Sequence, residues 1–441
     1  MTSFNKNIAR VDEKELAHAM QKHFHNLDEG LDPLMDRIGD ARIVLLGEAS
    51  HGTHEYYAWR ARISQRLIRE KGFRIIGVEG DWPDCYKINR YIRNYKNSGN
   101  TSTDVLKEFH RWPSWMWANW EIAALMEWLK EYNTNRPFDE QAGFYGLDVY
   151  SLWESMDAIV DYLEKHHPDA VKAVHNATAC FEPYSREGQD YGVSTRLAPE
   201  TCEAEVLELL RDIRKRMPLY DTDPEAPFNT EQNAVTVVNA EKYYRAMVSG
   251  GPKSWNIRDE HMTDTLERLL NFHGPDSKAI VWEHNTHIGD ARATNMHRGG
   301  MVNTGQLARQ RWGNSSTVLV GFGSHRGSVI AGRSWGAAMQ EMEVPQAIAG
   351  SWEAMLNRLR PIDKIIITDE IKNNPLMEKH IKHRAIGVVY DPSMESYGNY
   401  VPSLIPERYD AFVYIDETRA LHPLKVMEEP GLTPETYPFG I

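Results

Sequence analysis

Positive charge is in deficit in this chain: 50 lysines and arginines face 63 aspartates and glutamates, for a formal net charge of -13. No basic stripe is visible. A nucleic-acid partner is therefore not expected, because binding a polyanion needs clustered cations. Long hydrophobic runs are also lacking, and none approaches the ~20 residues that cross a bilayer. The opening Met1-Thr2-Ser3-Phe4-Asn5-Lys6 has no apolar signal-peptide core. Cysteine is scarce: Cys85, Cys180 and Cys202 are odd in number and show no CxxC spacing. That scarcity argues against a disulfide scaffold and predicts a reducing, cytoplasmic setting. There is no HExxH and no EF-hand loop. Gly321-Phe322-Gly323 lacks the third glycine of a dinucleotide fingerprint.

What is present suits an ordinary globular protein, 41% hydrophobic and 26% charged. At ~150 residues per domain, 441 residues could hold two or three domains. Leu16, Met20 and Phe24 recur at helical spacing and predict a short peripheral helix. Ala41–Leu46 is a nearly unbroken apolar run, as in a strand covered on both faces of a parallel sheet. A helix capped by Thr53 and ended by Gly72 follows, then a strand at 74–78, completing a right-handed βαβ unit. A third strand is expected at Gly143–Leu147. Helical stripes then run from Leu152 to Leu269, with no convincing strand among them. Strands resume at 278–282 and 316–322, with further candidates at 328–331, 364–368, 385–389 and 411–415. The pattern predicts an α/β fold: a mixed, mainly parallel central sheet flanked by helices. Residues 1–150 and 275–441 supply the α/β core, and 151–274 form a helical insertion roofing the cleft.

Four expected strands end on residues able to do chemistry: Glu48, Glu79, Asp148 and the Glu283-His284 pair. In an open parallel sheet the carboxyl ends of the strands share one edge, where ligands bind. Acids after four buried runs are hard to explain as a solvated face. Glu48 and Asp148 could instead serve the helices that follow them. His51 lies three residues after Glu48, and His287 three after His284, so both turns carry an imidazole beside an acid. Arg258 stands on the apolar stripe of its helix with Met262, Leu266 and Leu269, so it points inward and needs a carboxylate or an anionic ligand.

This set supports two mechanisms. In one, His51, oriented by a carboxylate, is a general base that activates water, while Arg258 and a second histidine steady the oxyanion. In the other, the same nitrogens and oxygens hold a divalent metal that activates the water. Four tryptophans between Trp112 and Trp120 also suit a non-catalytic site for a sugar or polyketide. Gly332-Arg333-Ser334-Trp335-Gly336 matches a nucleophile elbow, but its preceding strand is weak and Arg333 fits badly in so tight a turn. Cys85 reads as buried and inert.

The motifs Gly47-Glu48-Ala49-Ser50-His51-Gly52, Gly77-Val78-Glu79-Gly80-Asp81, Trp115-Met116-Trp117, Arg258-Asp259-Glu260-His261-Met262 and Trp282-Glu283-His284-Asn285-Thr286-His287 occur in this order. They are followed by Asp410–Thr418. Together they resemble the erythromycin esterase-like family over roughly 35 to 425. The resemblance implies a mainly parallel sheet with a helical subdomain over the cleft. It implies hydrolysis of an ester or macrolide lactone without a metal or other cofactor, as in the drug-resistance members. Other members are associated with succinoglycan biosynthesis. It implies His51 as the general base, with Glu48, Glu79, His284 and Arg258 as its catalytic partners. His287, Asp148, Trp115, Trp117 and Glu283 are then expected to bind the substrate, a small ester or lactone.

Overall fold

The run Ile43–Leu46 is a strand with all four side chains buried. Its neighbours on both sides are parallel to it, so it meets water at neither edge nor face. Alternate residues serve two cores. Val44 and Leu46 pack with Ile63 and Leu67 of helix His54–Lys71 and with Leu129 of helix Trp120–Asn133. Ile43 and Leu45 pack with Met262, Leu266 and Leu269 of helix Lys253–Phe272. The sheet is therefore a layer between helices.

The computed structural model describes residues 20–21, 23–168, 171–184, 188–197, 201–216, 224–372 and 375–424. Its strands are β1 (Phe24–Asn26), β2 (Ile43–Leu46), β3 (Ile75–Asp81), β4 (Gly143–Asp148), β5 (Ala279–Trp282), β6 (Thr317–Ala331), β7 (Gln340–Val344), β8 (Lys364–Ile367), β9 (Ile381–Arg384), β10 (Tyr400–Ser403) and β11 (Ala411–Thr418). The main sheet runs β1-β8-β11-β6-β2-β5-β3-β4, with β7 paired to β6. The neighbours from β11 to β4 are all parallel, while β1 with β8, β8 with β11 and β7 with β6 are antiparallel. β9 and β10 form a separate antiparallel pair. This is a mixed, mainly parallel sheet flanked by helices, as expected.

Between β4 and β5 the described residues hold helices and no strand. Leu152–His166, Val171–Phe181, Glu203–Arg216 and Ala226–Met247 share their own apolar core, which includes Met156, Ile159, Val206, Ile213, Val237 and Met247. No described helix is long and apolar enough to cross a membrane.

Some expectations need correction. Phe24 lies in β1, whose pairing to β8 overrides the local helical spacing, and Leu16 lies outside the described residues. Residues 328–331 are the far end of the long strand β6, not a separate strand. Residues 385–389 make only isolated bridges, Ser50 with Ile386 and Gly332 with Val389, because the chain has already paired at β9. Thr53 precedes its helix but gives it no side-chain cap; its hydroxyl is bound to that of Ser50 instead. Cys180 and Cys202 form a disulfide, leaving Cys85 free and buried. Helix packing brings their α-carbons to 5.8 Å, which no spacing along the chain reveals. The cysteine argument for a reducing setting therefore fails. Ser334 lies in a bend beyond the end of β6 and precedes a turn, not a helix, so it is not at a nucleophile elbow.

Candidate active site

Because β2, β5, β3 and β4 are consecutive and parallel, Glu48, Glu283, Glu79 and Asp148 all leave the same edge of the sheet. The β2 turn is compressed against its surroundings. A β-carbon on Gly52 would collide with the backbone carbonyl of Ile330, and one on Gly47 with the Asn285 side chain. The Asn285 amide N–H donates to the Glu48 carbonyl at 2.9 Å, tying the two histidine turns together.

In the first turn, His51 Nδ1 lies 2.9 Å from Glu48 Oε1, and Arg60 Nη2 donates to Glu48 Oε2 at 2.6 Å. All three residues are buried. A carboxylate can only accept, so Nδ1 carries a ring proton, and it is Nε2 that can give up or take the second one. Arg60 also lies over the Tyr57 and Trp282 rings, which fixes the guanidinium holding Glu48.

Arg258 ties the other acids together. Its Nε and Nη2 donate to Asp148 Oδ1 and Oδ2 at 3.0 and 2.7 Å, a bidentate pair. Nη2 also donates to Glu79 Oε1 at 2.7 Å. The other Glu79 oxygen accepts the His284 backbone N–H at 2.7 Å. Burial opposes the Glu79 charge. His287, Arg258 and His51 outweigh it and hold the carboxyl well below its ordinary range, so it stays ionised.

His287 Nδ1 is 3.0 Å from both Asp259 oxygens, and its ring stacks on Trp255 with centroids 4.5 Å apart. Its Nε2 is 3.0 Å from Arg258 Nη1 and 3.5 Å from Glu79 Oε1. The neutral ring accepts from the arginine, whereas the protonated ring offers its proton to Glu79. Burial alone would lower its pKa, but Asp259 and Glu79 raise it to about 9. His284 is different. Burial and the neighbouring His51 push it well below the ordinary histidine range, so it is neutral. Its Nδ1 accepts from the Thr286 N–H at 3.3 Å and meets Thr286 Oγ1 at 2.8 Å. Its Nε2 faces the Ala49 carbonyl without a hydrogen bond of normal geometry. The His51 and His284 rings are 5.0 Å apart. Glu283 is fully buried, and neither of its oxygens has a hydrogen bond of normal geometry. Burial, opposed by His287, pushes its pKa to about 8, so it is a neutral acid near pH 7.

His51, Glu79, Asp148, Arg258 and Trp117 line one cleft, with Trp112, Tyr150 and Asp81 among the other walls. Glu48, Glu283, His284 and His287 lie behind this surface as buried support. Trp115 is buried in the core beneath the cleft and not among its lining residues. Sequence reasoning assigned no role to Arg60, Asp259, Trp255 or Tyr150. Asp259 follows Arg258 in the same motif. Arg60 falls a helical turn after Tyr56 and Tyr57 on the buried face of its helix, which was the available signal.

A model of the family described as Erythromycin esterase matches residues 68–418. The chain belongs to the erythromycin esterase family. An Escherichia coli protein, erythromycin esterase type II, is 24% identical over 301 residues, 63% of this chain and 68% of that one. The solved structure of a succinoglycan biosynthesis protein superposes with a TM-score of 0.72 at 20% identity, covering 94% of this chain and 99% of that one. An erythromycin esterase mutant in an open conformation superposes at 0.64 with 16% identity, covering 92% and 96%. These structures share the fold of this erythromycin esterase family member. The matched span contains Glu79, Asp148, Arg258, Glu283, His284 and His287, whereas Glu48 and His51 precede it.

Proposed function

We propose that this esterase-family protein hydrolyses a carboxylic ester or lactone with His51 as general base, without a metal in the cleft. The observation that carries the reading is the Glu48–His51 pair at the cleft wall. The carboxylate engages Nδ1 and leaves the Nε2 lone pair to take a proton from water. The water's oxygen then attacks the acyl carbon, and the carbonyl oxygen gains negative charge. Arg258, already cationic at the cleft, is positioned to stabilise that charge. Collapse of the intermediate expels the alcohol, which recovers the proton from His51.

The donor geometry supports the metal-free reading. The charge is already balanced, because Arg258 supplies the cation between Glu79 and Asp148. We read residues 151–274 as the roof of the cleft, since Arg258, on the last helix of that block, is among the lining residues. Trp117 and Asp148 are read as substrate-facing walls. Trp115, Glu283 and His287 support those walls from behind. Erythromycin is one member of the lactone class to be tested.

The deciding experiment is an ester and lactone panel run on wild type and His51→Asn, with and without a chelator. Turnover should fall by roughly 10²–10⁴-fold in the variant, the usual worth of a general base. Wild-type rates should survive chelation. A variant as active as wild type would remove His51 from this role, and chelator-abolished turnover would restore the metal mechanism.

A further inference from the structure

Three potential metal ligands converge outside the cleft, on residues far apart in the chain. His54 opens helix His54–Lys71, Glu121 lies in the first turn of helix Trp120–Asn133, and His422 follows β11. His54 Nδ1 and His422 Nδ1 each lie 2.6 Å from the same Glu121 oxygen, Oε1. One ligand atom from each residue falls within 4.8 Å of the others, the one such group among the described residues. The two imidazoles meet edge to face with centroids 5.2 Å apart. None of the three residues lines the cleft.

We propose that His54, Glu121 and His422 form a transition-metal site, with zinc as its best-suited ion. Two imidazole nitrogens and one carboxylate oxygen are donors that Zn²⁺, Cu²⁺ and Ni²⁺ accept readily. The carboxylate is 6% exposed and the His422 ring 57%, so the site is anchored inside and open on one side. Water completes the coordination there. Without metal, each neutral ring donates an Nδ1 proton to Oε1. On binding, each ring carries its proton on Nε2 through exchange with water and gives the Nδ1 lone pair to the ion. Neutral rings therefore release no net proton.

The backbone shows what the metal would fasten. His54 N donates to Arg419 O at 2.8 Å, and Leu421 N to Gly52 O at 3.0 Å. On the other side, Trp120 N donates to His422 O at 3.0 Å, and Leu424 N to Ala118 O at 2.8 Å. The segment 419–424 is a strap joining the His51-Gly52 turn to the turn after Trp117. A metal at its centre staples the catalytic turn to the tryptophan wall while taking no part in the reaction.

The test uses the full-length protein, stripped with a chelator and titrated with zinc chloride. Wild type should take up one equivalent and unfold at a higher temperature when loaded. His422→Asn changes an exposed residue and should retain the fold, checked by circular dichroism. It should weaken zinc binding by no less than the roughly tenfold that losing a mere supporting group costs. Copper(II) bound to wild type should show electron-resonance hyperfine coupling to two imidazole nitrogens, and this reading needs no variant. No saturable zinc uptake, undiminished uptake by folded His422→Asn, or copper bound without two imidazoles would each overturn the site and leave a hydrogen-bonded clasp only.

Discussion

Arg258 shows how a single side chain can bind a site together and what its loss would cost. It is buried and gives both Asp148 and Glu79 their cation. Arg258→Met would fill similar space but leave two carboxylates without that partner in a water-poor site. Removing one member of a buried ion pair costs about 3–5 kcal/mol. Urea unfolding of the variant should show a loss of that order; a loss no larger than that of a surface change would mean the acids are solvated. Arg258 itself was legible in the sequence, because a charge on an apolar helical stripe has to be paired. Its partners were legible as strand-end acids. Arg60 was missed because its role depends on Glu48, twelve residues earlier, and on the Trp282 ring, neither of which periodicity reveals. Trp115 and Trp117 are two residues apart, and only the fold separates the one beneath the cleft from the one that lines it.

At the scale of the element, the β2 turn is set by how closely other backbone approaches it. Gly52 accepts from the Ile330 and Leu421 amides at 3.0 Å each, and its α-carbon faces the Ile330 carbonyl. Gly52→Ala would have to push β6 or the turn aside, because its obstacle is backbone and not a flexible side chain. Overpacking of this kind costs about 1–3 kcal/mol. Since His51 is the adjacent residue, turnover of a good ester substrate should fall along with the melting temperature. A variant with wild-type stability and rate would show that the turn tolerates a methyl group. The parallel strands were the most legible elements, because a strand buried on both faces writes an unbroken apolar run. The edge was not. β1 is only three residues long and stands against β8, where pairing outweighs the spacing of Met20 and Phe24. The apolar run at 385–389 could not be told from a strand without knowing that β9 had already paired.

For the whole molecule, buried titratable groups shape stability against pH with opposing signs. Burial drives the folded pKa of His261 down to about 4, so the native state holds fewer protons than the unfolded chain until pH 6.5, and stability rises across that interval. His287 is raised to about 9, so its contribution is complete below pH 6.5 and is lost as pH rises through 9. Burial lowers Lys364 to about 7, which makes stability rise again between 7 and its ordinary 10.5. Glu283, raised to about 8, acts across neutrality itself. The native state keeps its proton from pH 4.5 to 8 while the unfolded chain has released it, so stability falls as pH rises through that range. A total curve mixes these slopes, but a difference between two chains isolates one of them. Glu283→Gln keeps the shape and cannot ionise. Its stability relative to wild type should increase steadily from pH 4.5 to 8 and then level off, and midway through that range it should climb by about 1.4 kcal/mol for each step of one in pH. Denaturant unfolding of both chains at half-unit intervals of pH gives that difference. A gap that stays constant over the range would mean that Glu283 ionises in the folded state as it does in water, and that the ground beneath the two histidine turns is wetter than its burial implies.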